Sequence, residues 1–522
     1  MNKLNLKWVT DTIGDDYLSW QNGDIIRIEA QTGTGKTYFI KTKLLKHAIS
    51  NDKKILYICN RVNLKRQMKI DVAKIQGIKI NTFSKALDQL ETVGNITITS
   101  YQKIQYYLLN EKYNLNPSDD YSKYLDFDYI IMDECHYIIQ DASFANETVF
   151  FYKDYLREYN KESITILISA TMDYIKVPIE KIYENLQLNI IDYTTGIDYS
   201  YINAYYFKKH EDIINLINND VSENKWLIFI GNINIAKDML SKIDNSTFIC
   251  SESGRYKKLN DSKELQNIIA NNKFNYKCLI ATKSLDNGIN IDDPLLTNVI
   301  IMVLDKIDFI QMLGRKRINI ENPQQVNLFI PAKSKKTFLA LINTRFSKTI
   351  YEEIELFNNN RNEFNRKYDT NINQIGKFSN LFYRDKDGWQ LNKTGYFIFL
   401  KQRRFCQEMI DEFDVMGEEA FILHQLNWIG LKYNEKNWVV DVVSKKEINS
   451  LEEYLESIVD KKLFIEEKNE LINQVNLRDS RNRQQKSLTV LNAYLEANNL
   501  KYLIVHKKSG SKRYWQVINN LV

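Results

Sequence analysis

The sequence predicts an α/β protein of two tandem parallel sheets, followed by a mainly helical region that ends in a basic hairpin. Three observations lead there. A glycine-rich loop, Ala30-Gln31-Thr32-Gly33-Thr34-Gly35-Lys36-Thr37, follows an apolar run at 25–28 and precedes a helix-like stretch. Two successive series of short apolar runs alternate with helical segments, the rhythm of parallel sheets with crossover helices. The end of the chain gathers positive charge that the rest of it lacks.

The first series falls at 25–28, 55–58, 96–99, 129–132 and 164–168. The run at 129–132 is continuous rather than alternating, as a strand buried on both faces requires. The second series falls at 226–230, 248–250, 279–281, 299–303 and 326–330, and Pro331 closes it. The join is expected within 190–203, after Tyr193-Thr194-Thr195-Gly196. The expected domains are 1–195, 196–332, a mainly helical 333–477, and a basic helix-plus-hairpin module at 478–522. With 5 prolines and 17 glycines in the chain, long flexible linkers are not expected.

In the glycine-rich loop, backbone N–H groups around Gly33, Thr34 and Gly35 can wrap a phosphate, and glycine permits the close approach. The helix that follows directs its positive end at the same anion. Lys36 would reach the terminal phosphates, the Thr37 hydroxyl would complete a Mg²⁺ shell, and Gln31 and Thr32 lie in the same loop. The strict pattern begins with glycine, and this chain has Ala30 there. An ordinary turn before a helix is the plain alternative. The run at 129–132 delivers Asp133-Glu134-Cys135-His136 to the carboxyl end of a strand, where open α/β sheets place their ligands. Asp133 suits a hard, oxygen-seeking cation, and Glu134 suits a general base acting on water.

With these elements in order, the chain resembles a superfamily-two helicase of the DExH group, the box spelled Asp133-Glu134-Cys135-His136. The resemblance covers roughly 20–332 and implies two RecA-like P-loop domains. It implies that Ser169, Ala170 and Thr171 couple hydrolysis to domain movement. Arg61, after Ile58-Cys59-Asn60, and Thr99, Tyr101 and Gln102 would touch the nucleic-acid strand. Thr282 would contact nucleic acid, and Asp286 and Gly288 nucleotide. Gln311-Met312-Leu313-Gly314-Arg315-Lys316-Arg317 matches the last family motif, whose arginines reach the γ-phosphate. Arginine suits that role, being permanently charged and forked. Either Arg315 or Arg317 is the finger, because the second arginine arrives one residue earlier than in the common spelling.

The resemblance implies ATP and Mg²⁺ as cofactors and nucleic acid as partner. Its expected activity is ATP-driven translocation with strand separation. The alternative is a nucleotide-switched clamp that never unwinds; a P-loop kinase would leave Ser169-Ala170-Thr171 and Gln311–Arg317 unexplained. DNA is favoured over RNA, because the box is not Asp-Glu-Ala-Asp and no adenine-reading glutamine has its usual context. Trp20-Gln21 stands too near the loop. Proteins of a replication, repair or defence system are the expected partners.

Composition fits a globular chain of three or four domains: 522 residues, 44% hydrophobic and 26% charged. No run approaches the ~18 apolar residues of a membrane span, and Met1-Asn2-Lys3-Leu4-Asn5 is no signal peptide. A cytoplasmic, membrane-free protein is expected. Five scattered cysteines and five scattered histidines offer neither a disulfide pattern nor a zinc cluster.

Beyond Pro331 the reading rests on residues alone. Apolar residues at 451–477 recur at helical spacing, with Ser450 and Glu453 as a capping box. From Arg478 to Val522 there are nine Lys or Arg and two acidic residues, a surplus of seven against +5 for the whole chain. A helix is expected at 487–498, strands at 502–506 and 512–517, and a turn at 507–511. Helix plus basic hairpin resembles the end of a winged-helix module. Lys507, Lys508, Lys512 and Arg513 would neutralise phosphates, and Trp515 or Tyr514 would stack on a base. A basic hairpin whose aromatics cover a small core is the alternative.

Overall fold

The computed structural model describes residues 3–60, 62–113, 124–140, 155, 160–183, 189–251, 256–283, 285, 289–369, 381–385, 387–439, 451–478, 483–510 and 512–520. The chain divides into two compact units: Met1–His210 with Ile217–Asn437, and Trp438–Val522 with Glu211–Leu216.

The first lobe of the larger unit holds β1 (Ile25–Glu29), β2 (Ile55–Ile58), β3 (Thr92–Val93), β4 (Ile96–Thr99), β5 (Tyr129–Asp133), β6 (Ile164–Ser169) and β7 (Ile190–Thr194). Their order is β3-β4-β2-β5-β6-β1-β7, parallel except for β3. Neighbouring residues of one strand serve opposite cores. Ile55 and Tyr57 pack with Ile26, Phe39 and Ile131 on one face; Leu56 and Ile58 pack with Ile104, Ile130 and Leu167 on the other. That double burial is why the runs are continuous, each large side chain contributing roughly 1.5–3 kcal/mol.

Parallel register then decides where the chemistry sits. Glu29 pairs with Ser169, Asp133 with Ile168, and Ile58 with both Met132 and Thr99. The loops after β1, β2, β4, β5 and β6 therefore emerge along one sheet edge.

The second lobe repeats the scheme with β8 (Ile202–Phe207), β9 (Lys225–Ile230), β10 (Ser246–Ile249), β11 (Cys278–Ala281), β12 (Leu296–Met302) and β13 (Val326–Pro331). The order is β10-β11-β9-β12-β13-β8, all parallel. The expected join at 190–203 is narrower than its range: β7 belongs to the first sheet and β8 to the second, leaving 195–201 between them. The segment at the start of the chain crosses this join. Leu4 N–H donates to Ile320 O at 3.0 Å, Asn5 N–H to the Asp198 carboxylate at 2.6 Å, Lys7 N–H to Thr195 O at 2.9 Å, and Val9 N–H to Thr34 O at 2.9 Å.

The accessory region of the same unit has an aromatic core around Phe338, Phe346, Phe364, Phe382, Trp389 and Phe421. It is not wholly helical, because a hairpin, β14 (Phe382–Asp385) with β15 (Gly388–Leu391), precedes its longest helix, Lys393–Met416. Asn392 caps that helix by accepting from Gly395 N–H at 3.0 Å. The helix braces both lobes: Ile398 joins a core face of the first, and Leu304 of the second packs against the aromatic cluster. Among the described residues no helix is long and apolar enough to cross a membrane.

In the smaller unit, helical residues 451–457, the helices Ile465–Val475 and Leu488–Ala497, and the hairpin β16 (Tyr502–Ser509) with β17 (Lys512–Asn519) share one core. Leu455, Leu471, Leu491, Ile504 and Val517 are its centre. The expected division between 477 and 478 is corrected, because this core spans both sides of it. The helical spacing at 451–477 resolves into two helical stretches, 451–457 and Ile465–Val475. The chain breaks between the two helices and lies against β17 instead, with bridges Val459↔Val517 and Leu463↔Trp515. Ser450 lies outside the described residues; one half of such a cap is made further on, where Phe464 N–H donates to the Glu467 carboxylate at 2.9 Å.

Candidate nucleotide site and nucleic-acid groove

The loop after β1 takes its shape from two left-handed glycines, Gly33 (φ +94) and Gly35 (φ +87). Thr34 closes it, its hydroxyl donating to Gln31 O at 2.7 Å. Gln31 is held away from the loop: its amide donates to Asp198 O at 2.9 Å and accepts from Asp198 N–H at 2.8 Å. Helix begins at Lys36 and runs through one π turn to Ser50. Trp8, missed in the sequence, flanks the loop; a Cβ on Gly35 would sit 3.2 Å from its ring.

Lys36 Nζ donates to Glu134 Oε1 at 3.3 Å, which brings the loop lysine and the assigned base together. Glu134 holds φ +53, a conformation that costs a non-glycine residue energy and re-aims the chain sharply after β5. Asp133 is buried and fixed at both ends. Tyr57 donates to its carboxylate at 2.5 Å, and Tyr101 donates to its carbonyl at 2.9 Å. Burial raises the Tyr57, Tyr101 and Cys135 ionisations well above their ordinary values, so these groups stay neutral. With Thr37 opening the helix, the donors are a hydroxyl and a carboxylate, a set that fits a hard cation sharing phosphate oxygens. Among the described residues no cluster of three or more His, Cys, Asp or Glu offers a separate metal site.

The coupling segment joins both halves of this centre. Ala30 N–H donates to Ser169 O at 3.0 Å, and Thr171 N–H donates to Ser169 Oγ at 3.0 Å. Ala170 lies between them. His136 Nδ1 stands 3.0 Å from Ser169 Oγ and 3.5 Å from Glu134 Oε2. On its other side, Gln311 Nε2 of the second lobe donates to His136 Nε2 at 2.6 Å. That bond requires an imidazole lone pair at Nε2, so a neutral ring carries its proton on Nδ1 and donates toward Ser169. A chain of four side chains thus runs from Gln311 through His136 and Ser169 to Thr171.

Further contacts tie the lobes. Lys306 pairs with Asp173 at 3.1 Å, and the Gln140 amide donates to Asp308 at 2.9 Å and Asp305 at 3.2 Å. Asp305 caps the helix Lys306–Leu313 by accepting from Ile307 and Asp308 N–H. Burial, and then the Asp308 carboxylate, push its carboxyl up to about 6. Residues 315–317 lie extended beside Ile291, which donates to Arg315 O at 2.8 Å and accepts from Arg317 N–H at 2.9 Å. Extended backbone alternates, so Lys316 lies opposite its arginine neighbours. Its ammonium donates to Asp293 O at 2.7 Å. Arg315 is buried and Arg317 half-buried.

A groove of about 1060 Å³ lies between the lobes and the accessory region. Asn60 and Gln102 of the first lobe, Lys283 of the second, and Arg345, Gln402 and Phe405 of the accessory region line it. Gln102 donates to Asn60, and Thr282 N–H donates to Ile249 O at the end of β11. Two expected strand contacts are corrected. Thr99 is 2% exposed and Tyr101 fully buried, its ring stacked on Tyr137, so neither faces a strand. No local pattern signals the accessory wall, which depends on segments far apart in the chain. Arg61, Asp286 and Gly288 lie outside the described residues.

In the smaller unit, Lys507, Lys508 and Arg513 are exposed on the hairpin, Lys508 directly opposite Arg513; Lys512 begins β17. The turn expected at 507–511 is tighter, since β16 runs to Ser509. Tyr514 is buried against Phe464, and Trp515 lies half-buried on the core with Lys468 over its ring.

Two RecA-like lobes, a phosphate loop facing an Asp-Glu-Cys-His box, and a Gln-Gly-Arg motif closing on both form a helicase-like arrangement. Residues 6–174 match the family model described as type III restriction enzyme, res subunit. Among curated proteins none matches significantly. Solved structures similar to the chain include the Escherichia coli DEAH/RHA helicase HrpB (11% identity, 63% of this chain and 43% of that one, TM-score 0.39). The DUF1998 helicase MrfA bound to DNA is 15% identical over 74% of this chain and 54% of that one, with TM-score 0.43. S. cerevisiae Dbp5 bound to RNA and ADP BeF3 is 17% identical over 60% and 80%, with TM-score 0.42. The chain spans less than two thirds of the length of the first two.

Proposed function

We propose that the chain is an ATP-driven motor on nucleic acid, DNA in preference to RNA, which couples hydrolysis between its lobes to movement along one strand. The observation that carries this reading is the bond between Gln311 and His136 at 2.6 Å. It places the arginine-bearing motif of one lobe on the box of the other, an arrangement that a simple nucleotide binder does not need.

In this mechanism the loop amides around Gly33 and Gly35 and the Lys36 ammonium hold the triphosphate. Thr37 and Asp133 would hold Mg²⁺, which when bound neutralises phosphate charge. Glu134 orients water and accepts its proton as oxygen attacks the γ-phosphorus and the bond to the β-phosphate oxygen breaks. Arg315 or Arg317 stabilises the charge that develops, an effect on the order of 10³–10⁵ in rate for such fingers. Loss of the γ-phosphate loosens the Gln311–His136–Ser169 chain, and the lobes shift their grip. Gln102, Asn60, Thr282 and Lys283 hold the strand, with the accessory region as the far wall of the groove. Lys507, Lys508, Lys512 and Arg513 add phosphate contacts from the smaller unit, while Trp515 has a structural role. The lean toward DNA is supported by the absence of an adenine-reading glutamine in the expected place; Trp20 is buried among Tyr17, Phe39 and Tyr193.

The test is ATP turnover with no polymer, single-stranded DNA, duplex DNA and matched RNA, with Lys36→Ala as control. Strong stimulation by one polymer names the track. Turnover indifferent to all of them would leave a nucleotide-switched clamp as the better reading.

A further inference from the structure

We infer that Gln140 and Asp308 form a relay that reports occupancy of the groove to the nucleotide site, Gln140 acting as a positioning residue. The inference rests on the motor reading above. Gln140 ends the short helix Tyr137–Gln140, one turn beyond His136. Asp308 lies one turn before Gln311 on the helix Lys306–Leu313. The lobes therefore meet on a ladder of two rungs. His136 with Gln311 faces the nucleotide loop, and Gln140 with Asp308 faces the groove, which both residues line.

The second rung is contested. Asp308 Oδ1 accepts from Gln140 of the first lobe at 2.9 Å and from Lys283 of its own lobe at 2.7 Å. Lys283 is half exposed to the groove and follows Thr282. A phosphodiester backbone in the groove offers Lys283 a stronger, more exposed anion. As Lys283 turns to it, Asp308 is left to Gln140. The second rung loses its competitor, and because the rungs lie one turn apart on the same two segments, the bond already made between Gln311 and His136 is held more firmly. Groove occupancy then favours the closed arrangement that turnover needs, a coupling between sites in the thermodynamic sense.

The experiment compares the full-length wild type with Gln140→Ala, Asp308→Ala, the double variant and Lys283→Gln, each with and without saturating oligo(dT) or oligo(rU). Turnover, the KM for ATP and polymer affinity without nucleotide are read together. Either alanine variant is expected to lose about tenfold of the stimulation, within the usual range of intersite coupling, with KM for ATP little changed. The double variant should be no worse than the poorer single. Lys283→Gln should raise polymer-free turnover, since it frees Asp308 without a polymer. Wild-type-like stimulation in the alanine variants, independent losses that multiply, or no rise in Lys283→Gln would each overturn the relay alone. A wild type indifferent to every polymer would overturn the motor reading and the relay with it.

Discussion

A Cβ placed on Gly314 would lie 2.5 Å from Thr32 Oγ1 and 2.8 Å from Thr32 Cβ. The segment carrying both arginines is thus packed onto the phosphate loop so closely that a single methyl group does not fit. Its φ is ordinary, so the requirement for glycine is steric and not conformational. Gly314→Ala is therefore expected to slow turnover about tenfold or more, a loss of ~1.4 kcal/mol in the reacting state. Nucleotide affinity should fall much less, because the loop itself is intact. Adding Thr32→Ala should return part of the rate. Single-turnover hydrolysis beside equilibrium nucleotide binding separates the two quantities, and equal losses in both would argue against closure as the step affected.

Lys36 and Glu134 touch each other but are expected to fail differently. Lys36→Ala should lose both binding and turnover. Glu134→Gln should keep nucleotide binding and lose turnover by a factor of about 10² or more, the scale of general-base contributions. Ordinary turnover in Glu134→Gln would remove the residue from the base role.

The two arginines are distinguishable by substitution. The variant that removes the finger should bind nucleotide and hydrolyse it more slowly by about 10³ or more, whereas its neighbour should show a modest defect. Arg315→Ala and Arg317→Ala, measured side by side, settle the assignment; equal and mild losses would mean that neither is the finger.

Asp305 makes a pH signature. Its carboxyl is raised to about 6 by burial and by Asp308, against the pull of Lys283; Gln140, Lys306 and Lys401 also line its cavity. A carboxyl raised by folding binds its proton more tightly in the native chain. Its contribution is thus full below the unfolded value near ~4 and is lost as pH rises through about 6. Asparagine keeps the acceptor for Ile307 and Asp308 N–H. Asp305→Asn should therefore be the more stable protein at about pH 7, the advantage vanishing toward about pH 4. Melting of both proteins across that range is the check, and a pH-independent difference would contradict it.

Among the described residues, Lys507, Lys508 and Arg513 make no ion pair, and cross-strand like charges at Lys508 and Arg513 are unfavourable without an anion. Replacing all three with glutamine should lower the salt dependence of duplex-DNA affinity by about 0.9 in slope per lost contact. The fold should survive, since Ile504 and Val517 anchor the hairpin. An unchanged slope would leave the hairpin as a cover for its own core.

Strands buried on two faces announce themselves, which is why β1, β2, β5 and β6 and the loops after them were legible. The edge strand β7 was not, because it is only part-buried and carries polar residues. Thr99 and Tyr101 were read as strand contacts from motif order, yet order does not say which way a side chain turns. Gln140 was invisible for another reason. Its meaning depends on Asp305 and Asp308, 165 and 168 residues away, and no local pattern encodes such a meeting. The charge surplus after residue 478 suggested a separate module, while packing places the module's core on both sides of that point.

The lacing of residues 3–9 across the join, from Ile320 through Asp198 and Thr195 to Thr34, makes the hinge two-ply. One ply is the covalent link at 195–201, and the other is the hydrogen-bonded segment from Leu4 to Val9. A protease nick in the first ply would leave two fragments that still migrate together and still bend at the same place. Loosening the second would leave an intact chain with a slack joint.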